Sequence, residues 1–425
     1  MAKENIITAL DIGTTKICCL IAIIDKSNQI KICGVGEIKS KGLSQGTIKN
    51  IRAASESIDK AINEAEKMAN RNARNLFVGV AGELIVSFVR HGIANIVSKS
   101  KFTEEVDEYE VTEFEIEQVK KDAIKNTPIP NNRKIIYVEP QYFKVDNMSG
   151  ILDPIGMTGH RLEADVHFVT ADLSFLNNIY RSIQMIGLNV KDVILQPIAS
   201  AMAVLNQDER ELGSILVDIG GGTTDISIYY QNSIRFSSII PFGGENITND
   251  LAVGLRTPKS EAEKIKIDYG FALPDNADKS LKVEIPGIGG RPATTRSQKF
   301  IAEIINPRVQ EIVNLVYKEV EKSKYLNMIT AGISVCGGTA NLRSTNQLFA
   351  KIFNGLPTKT GYPSFNGIYG DTETLSNPKY ATVVGLLYWG KKNIKNRPMH
   401  TDDKEPIIEK LKKRIRNWFE IQNFT

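Results

Sequence analysis

A strand, a glycine turn and a second strand follow one another over residues 216–229, which read LVDIGGGTTDISIY. Apolar, β-branched runs on both sides of a short polar turn predict a β-hairpin. The glycines of residues 220–222 leave backbone N–H groups uncovered and can adopt positive φ, while Asp218 and Asp225 bracket the turn with carboxylates. Backbone donors beside a carboxylate suit a polyphosphate with Mg²⁺, although a glycine-rich hairpin turn can also be a turn and nothing more.

A second copy of this pattern lies near the N-terminus, where residues 6–23 read IITALDIGTTKICCLIAI. Asp11 occupies the position of Asp218, and a Thr-Thr pair follows the glycine turn in both copies. Two such hairpins indicate an internal duplication. Two facing phosphate loops suggest a nucleotide held in a cleft between two domains.

Several later stretches suit domain connectors or nucleotide contacts. Residues 196–204 and 377–390 combine small residues with apolar ones, which allows helices to cross closely. Gly243 and Gly244 precede a helical pattern, so the N-terminal amides of that helix could face a phosphate.

Two more patterns concern the nucleoside. Glu263 and Lys266 stand three residues apart on one face of a predicted helix, and a plain surface ion pair is the alternative interpretation. Gly337 and Gly338 stand at a strand-to-helix junction, where the absence of side chains lets a planar base approach the backbone.

These motifs, in this order, resemble those of the actin, sugar kinase and heat-shock chaperone ATPase superfamily. The resemblance implies an actin-like α/β fold, with two duplicated α/β domains around a cleft that binds ATP or ADP with Mg²⁺. It also implies that Gln196 faces the γ-phosphate and orients the attacking water, whereas the residue read alone could simply cap its helix. A neutral glutamine is a poor general base, so we expect at most slow hydrolysis.

The resemblance assigns roles to particular residues. In the superfamily the Glu-x-x-Lys pair holds the ribose and adenine, and the strand-to-helix glycines contact the adenosine. Gln196, Asp11 and Asp218 are the candidate catalytic residues, and the two aspartates are expected to hold Mg²⁺ through water. The residues expected to bind the nucleotide are Gly13, Thr14, Thr15, Lys16, Gly220, Gly221, Gly222, Thr223, Thr224, Gly243, Gly244, Glu263, Lys266, Gly337, Gly338 and Asn341.

The character of the chain changes after Gly82. Residues 87–97 and 135–145 have strand patterns, and between them Thr112 and Glu115 form a capping box at the start of a helical pattern. We interpret residues 83–163 as a small inserted α/β module. An insertion at this place resembles that of the FtsA family, the bacterial cell-division actin homologues, and the resemblance covers the full length of the chain.

The expected domain organisation follows from that resemblance, with residues 166–170 returning to the first domain as a strand. The expected parts are a first core subdomain (1–82, 164–195 and 371–390), the FtsA-type inserted subdomain (83–163), a second core subdomain (196–231 and 305–370), a small subdomain (232–304), a linker (391–405) and a C-terminal amphipathic helix (406–425).

The C-terminal stretch has its own chemistry. At about 100° per residue, seven apolar side chains fall within an arc of about 160°, and basic side chains lie opposite or beside them. The seven are Ile407, Ile408, Leu411, Ile415, Trp418, Phe419 and Ile421. A basic amphipathic helix with Trp and Phe on its apolar side suits a membrane interface with anionic lipids. A helix docked on the body of the protein is the alternative. The residues expected to enter the interface are Ile407, Ile408, Leu411, Ile415, Trp418 and Phe419.

The family resemblance implies partners and a location. It implies a protein that polymerises with itself and tethers the tubulin-like ring protein FtsZ to the cytoplasmic face of the plasma membrane at the division site. The acidic C-terminal tail of FtsZ is expected to bind the small subdomain. Arg291, Arg296 and Arg308 are candidate contacts for its carboxylates, though each could equally be a solvated charge. A sugar or acetate kinase, a chaperone ATPase and an assembly actin for pili or cell shape are the rival interpretations.

Composition excludes several other classes. A chain of 425 residues with 42% hydrophobic residues can build two or more cores, and a net charge of +4 without long charged blocks does not indicate nucleic-acid binding. The four cysteines form no Cys-x-x-Cys pair, so we expect buried thiols in a reducing cytoplasm. We find neither a leader peptide nor a spanning segment, and His160 and His167 lack neighbours at metal-ligand spacing.

Overall fold

The computed structural model describes residues 5–97, 109–125 and 127–394. Within those ranges no helix is both long and apolar enough to cross a membrane. The strands are β1 (Asn5–Ile12), β2 (Lys16–Ile24), β3 (Ile30–Lys39), β4 (Leu43–Ser44), β5 (Thr47–Ile48), β6 (Leu76–Val80), β7 (Ile85–Asn95), β8 (Arg133–Val145), β9 (Met148–Ile151), β10 (Arg161–Asp172), β11 (Val190–Leu195), β12 (Ser214–Ile219), β13 (Thr224–Tyr230), β14 (Ser233–Ile240), β15 (Lys282–Ile285), β16 (Thr294–Ser297), β17 (Gly332–Cys336), β18 (Thr358–Thr360) and β19 (Ile368–Gly370).

The helices carry the connections between these strands. They are α1 (Ile51–Ala69), α2 (Glu113–Lys125), α3 (Leu173–Gln184), α4 (Gln196–Val204), α5 (Gln207–Leu212), α6 (Gly244–Leu255), α7 (Lys259–Tyr269), α8 (Gln298–Lys322), α9 (Thr345–Ile352) and α10 (Ala381–Asn393), with 3-10 turns at Pro274–Asn276, Leu326–Met328, Gly338–Asn341 and Pro378–Tyr380.

Two sheets repeat one topology. The first has the order β11-β6-β1-β2-β3-β19, and the second has the order β14-β13-β12-β17-β18. In each, a hairpin (β1 with β2, or β12 with β13) pairs antiparallel with the next strand on one side and parallel with a later strand on the other. The predicted duplication and actin-like α/β architecture are therefore confirmed.

Local signals account for the elements of each half. Helix α1 begins after Asn50, whose side chain accepts from the Ala53 amide, and ends at Asn70 in the left-handed conformation. Its alanine- and isoleucine-lined face is buried against β3, where a Cβ on Gly36 would overlap the carbonyl oxygen of Ala61. Glycine in β3 thus lets the helix approach the sheet backbone.

The inserted module forms a sheet of its own, in the order β7-β10-β8-β9, with α2 on one face. Helix α2 begins with half of the predicted capping box: the Glu115 carboxylate accepts from the Thr112 amide at 2.9 Å, whereas the Thr112 hydroxyl accepts from the Phe114 amide at 3.3 Å. The expected return of residues 166–170 to the first core sheet is wrong. Strand β10 pairs along its length with β7 and β8, because its even-numbered apolar residues pack in the core of the module.

The module also covers the edge strand of the second sheet. The Gln141 side chain of β8 donates to the carbonyls of Ile234 (2.8 Å) and Arg235 (3.1 Å) in β14. The hydroxyl of Ser87 in β7 donates to the Ser237 carbonyl at 2.5 Å. Polar side chains of the module thereby satisfy backbone acceptors at a sheet edge, which would otherwise need solvent or another strand.

Two helices cross where the halves meet. Helix α10 packs against β1 and β6 of the first sheet, whereas α4 packs against β12 and β13 of the second. A Cβ on Gly385 of α10 would overlap the carbonyl oxygen of Ala199 in α4, so the predicted close crossing of small residues is confirmed. Helix α10 continues to Asn393, so residues 391–393 belong to it and not to the expected linker. The predicted amphipathic helix of residues 406–425 lies outside the described residues.

Candidate functional site

The two glycine turns predicted from the sequence lie against each other between the halves. Each is closed by the same type of bond, from the Gly13 amide to the Lys16 carbonyl (3.0 Å) and from the Gly220 amide to the Thr223 carbonyl (2.9 Å). A Cβ on Gly221 would overlap the side chain of Thr15. Glycine is therefore required at this position because the two turns approach so closely.

A loop of the first half supports this contact. The Thr14 hydroxyl accepts from the Gly46 amide at 2.9 Å, and the Gln45 side chain donates to the Pro241 carbonyl of the second half at 3.2 Å. A Cβ on Gly222 would press on both Thr14 and Gln45. The turn of the second hairpin thus packs against residues of the first half.

Three buried carboxylates lie at the ends of the paired hairpin strands. Asp218 and Asp225 are opposite each other in the register of β12 and β13, and Asp11 is the penultimate residue of β1. Burial raises the pKa of Asp11 to about 6, with Lys16 opposing the shift and the charge of Asp218 adding to it. Burial also raises the pKa of Asp218, and burial together with the charge of Asp218 raises that of Asp225 well above its usual range. The mutual repulsion of these groups favours protons or a cation between them.

Asp225 lacks a partner on one oxygen. Its Oδ2 accepts from the Thr223 hydroxyl at 3.2 Å, whereas its buried Oδ1 makes no hydrogen bond. The sequence showed this aspartate beside the turn but gave no reason to prefer it over Asp218. Its burial beside the glycine turn, with one unpaired oxygen, makes it a further candidate for the site.

Gln196 lies beside Asp11. Its Nε2 donates to Asp11 Oδ1 at 2.9 Å and lies 3.5 Å from the Gly79 carbonyl, with only 9% of the residue exposed. The residue begins α4, so it belongs to the helix packed on the other half. This contact with a carboxylate was not predicted, and the proposed orientation of water stays a prediction.

Lys16 also faces the first carboxylate. Its Nζ is 3.8 Å from Asp11 Oδ2 and 4.9 Å from the ring centroid of Tyr380. The ammonium is buried and donates no hydrogen bond. A buried cation with spare donors beside a glycine turn is suited to a phosphate oxygen.

The N-terminus of α6 supports the second turn. The amides of Gly244 and Glu245 donate to the carbonyls of Gly220 (2.9 Å) and Gly221 (2.7 Å), and the Gly243 amide donates to the Asn246 side chain at 2.9 Å. In this structure these amides therefore hold the loop and do not point at an open space, as the sequence had suggested. A contact of the two α6 glycines with the nucleotide stays a prediction.

Glu263 and Lys266 form the predicted pair on α7. Their charged groups are 2.8 Å apart, and Lys266 Nζ also donates to the Gly244 carbonyl at 3.0 Å and to the Thr248 hydroxyl at 2.8 Å. The Glu263 carboxylate accepts from Thr248 as well. The pair thus ties α7 to the first turn of α6, which is more than a free surface ion pair.

The predicted strand-to-helix junction lies on the same side of the site. Gly337 has φ +85°, and a Cβ there would overlap the Asp218 carboxylate. The Gly338 Cβ position has open space around it, and Asn341 donates to the Gly338 carbonyl (3.2 Å) and to the Asn377 side chain (3.1 Å). Gly337 is therefore required by backbone conformation and by proximity, whereas Gly338 leaves one surface uncovered.

The predicted arginine contacts differ from one another. Arg291 and Arg296 are exposed, and Arg296 stacks over Phe300 at 5.7 Å. Arg308 is already engaged, since its guanidinium contacts Asp250 at 2.7 and 3.2 Å and Glu311 at 2.6 Å. Arg308 is thus the least available of the three for a partner.

His160 and His167 have different surroundings in the structure. His160 packs edge-on against Tyr109 at 4.8 Å. His167 is buried at the contact between the module and β14, with Nε2 3.2 Å from the Ser237 hydroxyl, and burial lowers its pKa to about 4.

The donor set fits a magnesium nucleotide held mainly by its phosphates. Within the described residues, no three His, Cys, Asp or Glu side chains are grouped closely enough to hold a metal ion by themselves. Asp11 and Asp218 are buried carboxylates beside two backbone turns, and Mg²⁺ commonly takes one or two carboxylates together with waters and phosphate oxygens. The residues therefore suit a cation that arrives with a polyphosphate.

The duplicated sheets, the facing hairpin turns and the crossed helices define an actin-like protein. Solved structures share this fold. The PilM–PilN type IV pilus biogenesis complex aligns with a TM-score of 0.63 at 15% identity, covering 90% of this chain and 98% of the other. MreB5 of Spiroplasma citri bound to ADP aligns with a TM-score of 0.54 at 18% identity, covering 92% and 99%.

Sequence comparisons define the family within that class. The family model described as "Cell division protein FtsA" matches residues 215–385, and that of the "SHS2 domain inserted in FTSA" matches residues 83–170. Cell division protein FtsA of Pseudomonas aeruginosa is 38% identical over 424 residues, which is 98% of each chain. That of Escherichia coli (strain K12) is 31% identical over 99% of this chain and 97% of its own. The chain belongs to the FtsA family of cell division proteins.

Proposed function

We propose that the protein binds ATP with Mg²⁺ in the cleft, polymerises, and tethers the FtsZ ring to the cytoplasmic face of the membrane at the division site. The observation that carries the nucleotide part is the contact between two glycine turns, each beside a buried aspartate. The MreB5 structures that share the fold contain ADP or AMPPNP, which supports a nucleotide in the same type of cleft.

Different residues of the proposed site would bind the cation, the phosphates and the attacking water. Asp11 and Asp218 would hold Mg²⁺, directly or through water, and the bound ion would neutralise phosphate charge. Lys16 and the backbone amides of both turns would bind phosphate oxygens. Gln196 would orient a water, and because its amide is a poor base we expect the nucleotide to act chiefly as an assembly switch.

The nucleoside would lie toward the second half. Glu263 and Lys266 would contact the ribose and adenine from α7, and the uncovered backbone at Gly338 would receive the base. Gly243, Gly244 and Asn341 complete this side of the proposed site. The proposed domain boundaries keep the expected ranges with three changes. The inserted module continues through β10, residues 368–370 join the first core subdomain because β19 pairs with β3, and residues 391–393 belong to α10.

Membrane attachment is proposed for residues 406–425 from their sequence. An amphipathic helix with Trp418 and Phe419 on its apolar side and several basic residues suits an anionic lipid surface. A single such helix binds weakly, whereas a filament presents many at once, so assembly would govern attachment through avidity.

The acidic FtsZ tail is the proposed partner of the small subdomain. Arg291 and Arg296 are exposed near the β15–β16 hairpin and can donate to carboxylates, whereas Arg308 would first have to release Asp250. A related assembly actin is the second candidate, because the PilM complex shares the fold. A small-molecule kinase has less support, since such an enzyme needs a base at the γ-phosphate, and the residue that the superfamily pattern places there is Gln196, whose neutral amide is a poor base.

Liposome sedimentation tests the tether. The full chain and a chain ending at residue 405 are mixed with vesicles containing anionic phospholipid, and ATP affinity is measured in parallel. We expect truncation to abolish sedimentation while the Kd for ATP stays within about twofold. Lipid binding that persists after truncation would contradict the proposal. Loss of ATP affinity would show that the tail supports the fold of the nucleotide-binding part, as a docked helix would.

A further inference from the structure

Two hydroxyl groups meet the Asp218 carboxylate beneath the cleft. Ser200 Oγ donates to Asp218 Oδ2 at 2.7 Å, and Thr382 Oγ1 is 3.1 Å from the same oxygen. The two hydroxyls are 2.9 Å apart, so three buried oxygens form a triangle. A carboxylate only accepts, so at least one of the two hydroxyl protons is directed to Asp218.

The hydroxyls come from different helices at their point of closest approach. Ser200 follows Ala199, whose carbonyl oxygen contacts Gly385, and Thr382 is one helical turn before that glycine. Any change in the crossing of α4 and α10 must therefore change the distance between the hydroxyls.

Each carboxylate is held by a helix that packs on the opposite half. Thr382 belongs to α10 on the first sheet and reaches Asp218 of the second. Gln196 belongs to α4 on the second sheet and reaches Asp11 of the first. Gln196 and Ser200 are four residues apart, so one face of α4 contacts both carboxylates.

We propose that Ser200 and Thr382 are positioning residues, which fix the Asp218 carboxylate for the magnesium nucleotide and make its orientation depend on the crossing of α4 and α10. This inference rests on the proposed function, because it requires Asp218 to act on the Mg²⁺ of a bound nucleotide. Ser200 and Thr382 themselves need not touch the nucleotide.

A purely structural role gives a different expectation. If the hydroxyls only satisfied a buried polar group, their removal would weaken nucleotide binding equally with and without Mg²⁺, through general loosening of the site. A positioning role instead affects the Mg²⁺-dependent part of the affinity. The ratio of the Kd for AMPPNP in EDTA to the Kd in excess Mg²⁺ distinguishes the structural role from the positioning role.

The experiment uses calorimetric titration of AMPPNP into the full-length protein and its variants. Ser200→Ala with Thr382→Val removes both hydroxyls at nearly constant volume, whereas Thr382→Ser keeps the hydroxyl. We expect the double substitution to lower the Kd ratio about tenfold, because hydrogen bonds to a charged group are lost. We expect Thr382→Ser alone to retain the wild-type ratio.

Ser182→Ala is the matched control, since Ser182 is equally buried but donates to a backbone carbonyl of α3, outside the site. Its ratio should equal that of the wild type. An unchanged ratio in the double variant, or an equal loss of affinity in EDTA and in Mg²⁺, would overturn the positioning role. A wild-type protein whose affinity does not depend on Mg²⁺ would instead overturn the proposed function.

Discussion

Asp218 carries a charge that the fold alone does not favour. Burial raises its pKa, and its charge also raises the pKa values of Asp11 and Asp225. A bound cation would relieve this repulsion, whereas the ligand-free protein must tolerate it. The cost of clustering these carboxylates is consistent with a site built for Mg²⁺ and phosphate.

Asp218→Asn should therefore affect the stability of the ligand-free protein and its binding of the magnesium nucleotide in different ways. The neutral amide can still accept from Ser200 and removes one buried charge, so we expect the melting temperature without nucleotide to stay equal or rise. The stabilisation by Mg²⁺-AMPPNP, about 2.7 kcal/mol at 100 times the Kd, should be lost. Thermal unfolding with and without ligand measures both quantities. A full ligand-induced shift in the variant would show that Asp218 does not hold the cation.

His167 should make stability depend on pH. Burial lowers its folded pKa from 6.5 to about 4, so between these values the unfolded chain takes up a proton that the folded protein does not. Its contribution is complete above pH 6.5 and is lost as pH falls toward 4. When the pH falls from 7.5 to 5.5, we expect the free energy of unfolding to decrease by about 1 kcal/mol less in His167→Gln than in the wild type.

Urea unfolding followed by tryptophan fluorescence checks this difference. Trp389 is a suitable reporter, because its ring lies 6.0 Å from Tyr137 in the inserted module and its indole donates to Asp192. His160→Gln is the matched control, since that ring packs at the outer end of the module. Parallel pH profiles for the wild type and His167→Gln would exclude the buried imidazole as the cause.

Individual site residues were predictable where a local pattern identified them. Asp11 and Asp218 were found because each follows an apolar strand and precedes a glycine turn. Ser200 and Thr382 were missed, because nothing local distinguishes a serine or threonine within a helix of small residues. Thr382 and Asp218 are 164 positions apart, and only the helix crossing brings them together.

At the scale of elements, the crossing of α4 and α10 is the most constrained contact. A Cβ on Gly385 would overlap the backbone of Ala199, which cannot move without shifting the whole helix. We expect Gly385→Ala to destabilise the protein by about 3 kcal/mol or more, despite the better helix propensity of alanine. Chemical denaturation measures this loss.

Gly254→Ala provides the matched control for that substitution. Gly254 is also within a helix, α6, but the nearest atoms to its added Cβ would be side-chain carbons of Ile304, at 3.0 to 3.4 Å, and no backbone atom. This change should cost less than about 1 kcal/mol or stabilise slightly. Equal effects of the two substitutions would mean that the helices do not cross as closely as described.

The elements themselves followed largely from sequence, but one assignment did not. Hairpins and capped helices are specified by neighbouring residues, as the Asn50 cap of α1 illustrates. Strand β10 was predicted in part yet assigned to the wrong sheet, because an apolar strand does not identify its partner. Its pairing with β7 and β8 involves residues as far apart in sequence as Ala171 and Ile85, beyond what periodicity can indicate.

At the scale of the whole molecule, the described residues join the halves at the glycine turns, at the crossed helices and at the contact of the inserted module with β14. The module belongs to the sequence of the first half but bonds to the edge of the second sheet. Opening of the cleft must therefore strain either the helix crossing or the hydrogen bonds of the module. If the proposed nucleotide opens or closes the cleft, this arrangement would couple the nucleotide state to the position of the module.

If avidity governs membrane attachment, nucleotide binding and lipid binding should be linked although the tail is separate from the cleft. The wild type with Mg²⁺-ATP should bind anionic vesicles with a steep dependence on protein concentration, because each filament presents many tails. Asp218→Ala should keep the weak vesicle binding of a single tail but lose the steep dependence on protein concentration. Its apparent affinity for the vesicles should fall by about 100-fold.

Vesicle sedimentation over a range of protein concentrations measures both the slope and the midpoint. Ser182→Ala serves as a control with an intact site, and the chain ending at residue 405 gives the baseline without a tail. Asp218→Ala could reproduce the wild-type curve only if one tail sufficed for attachment. In that case the nucleotide cleft would regulate something other than the tether.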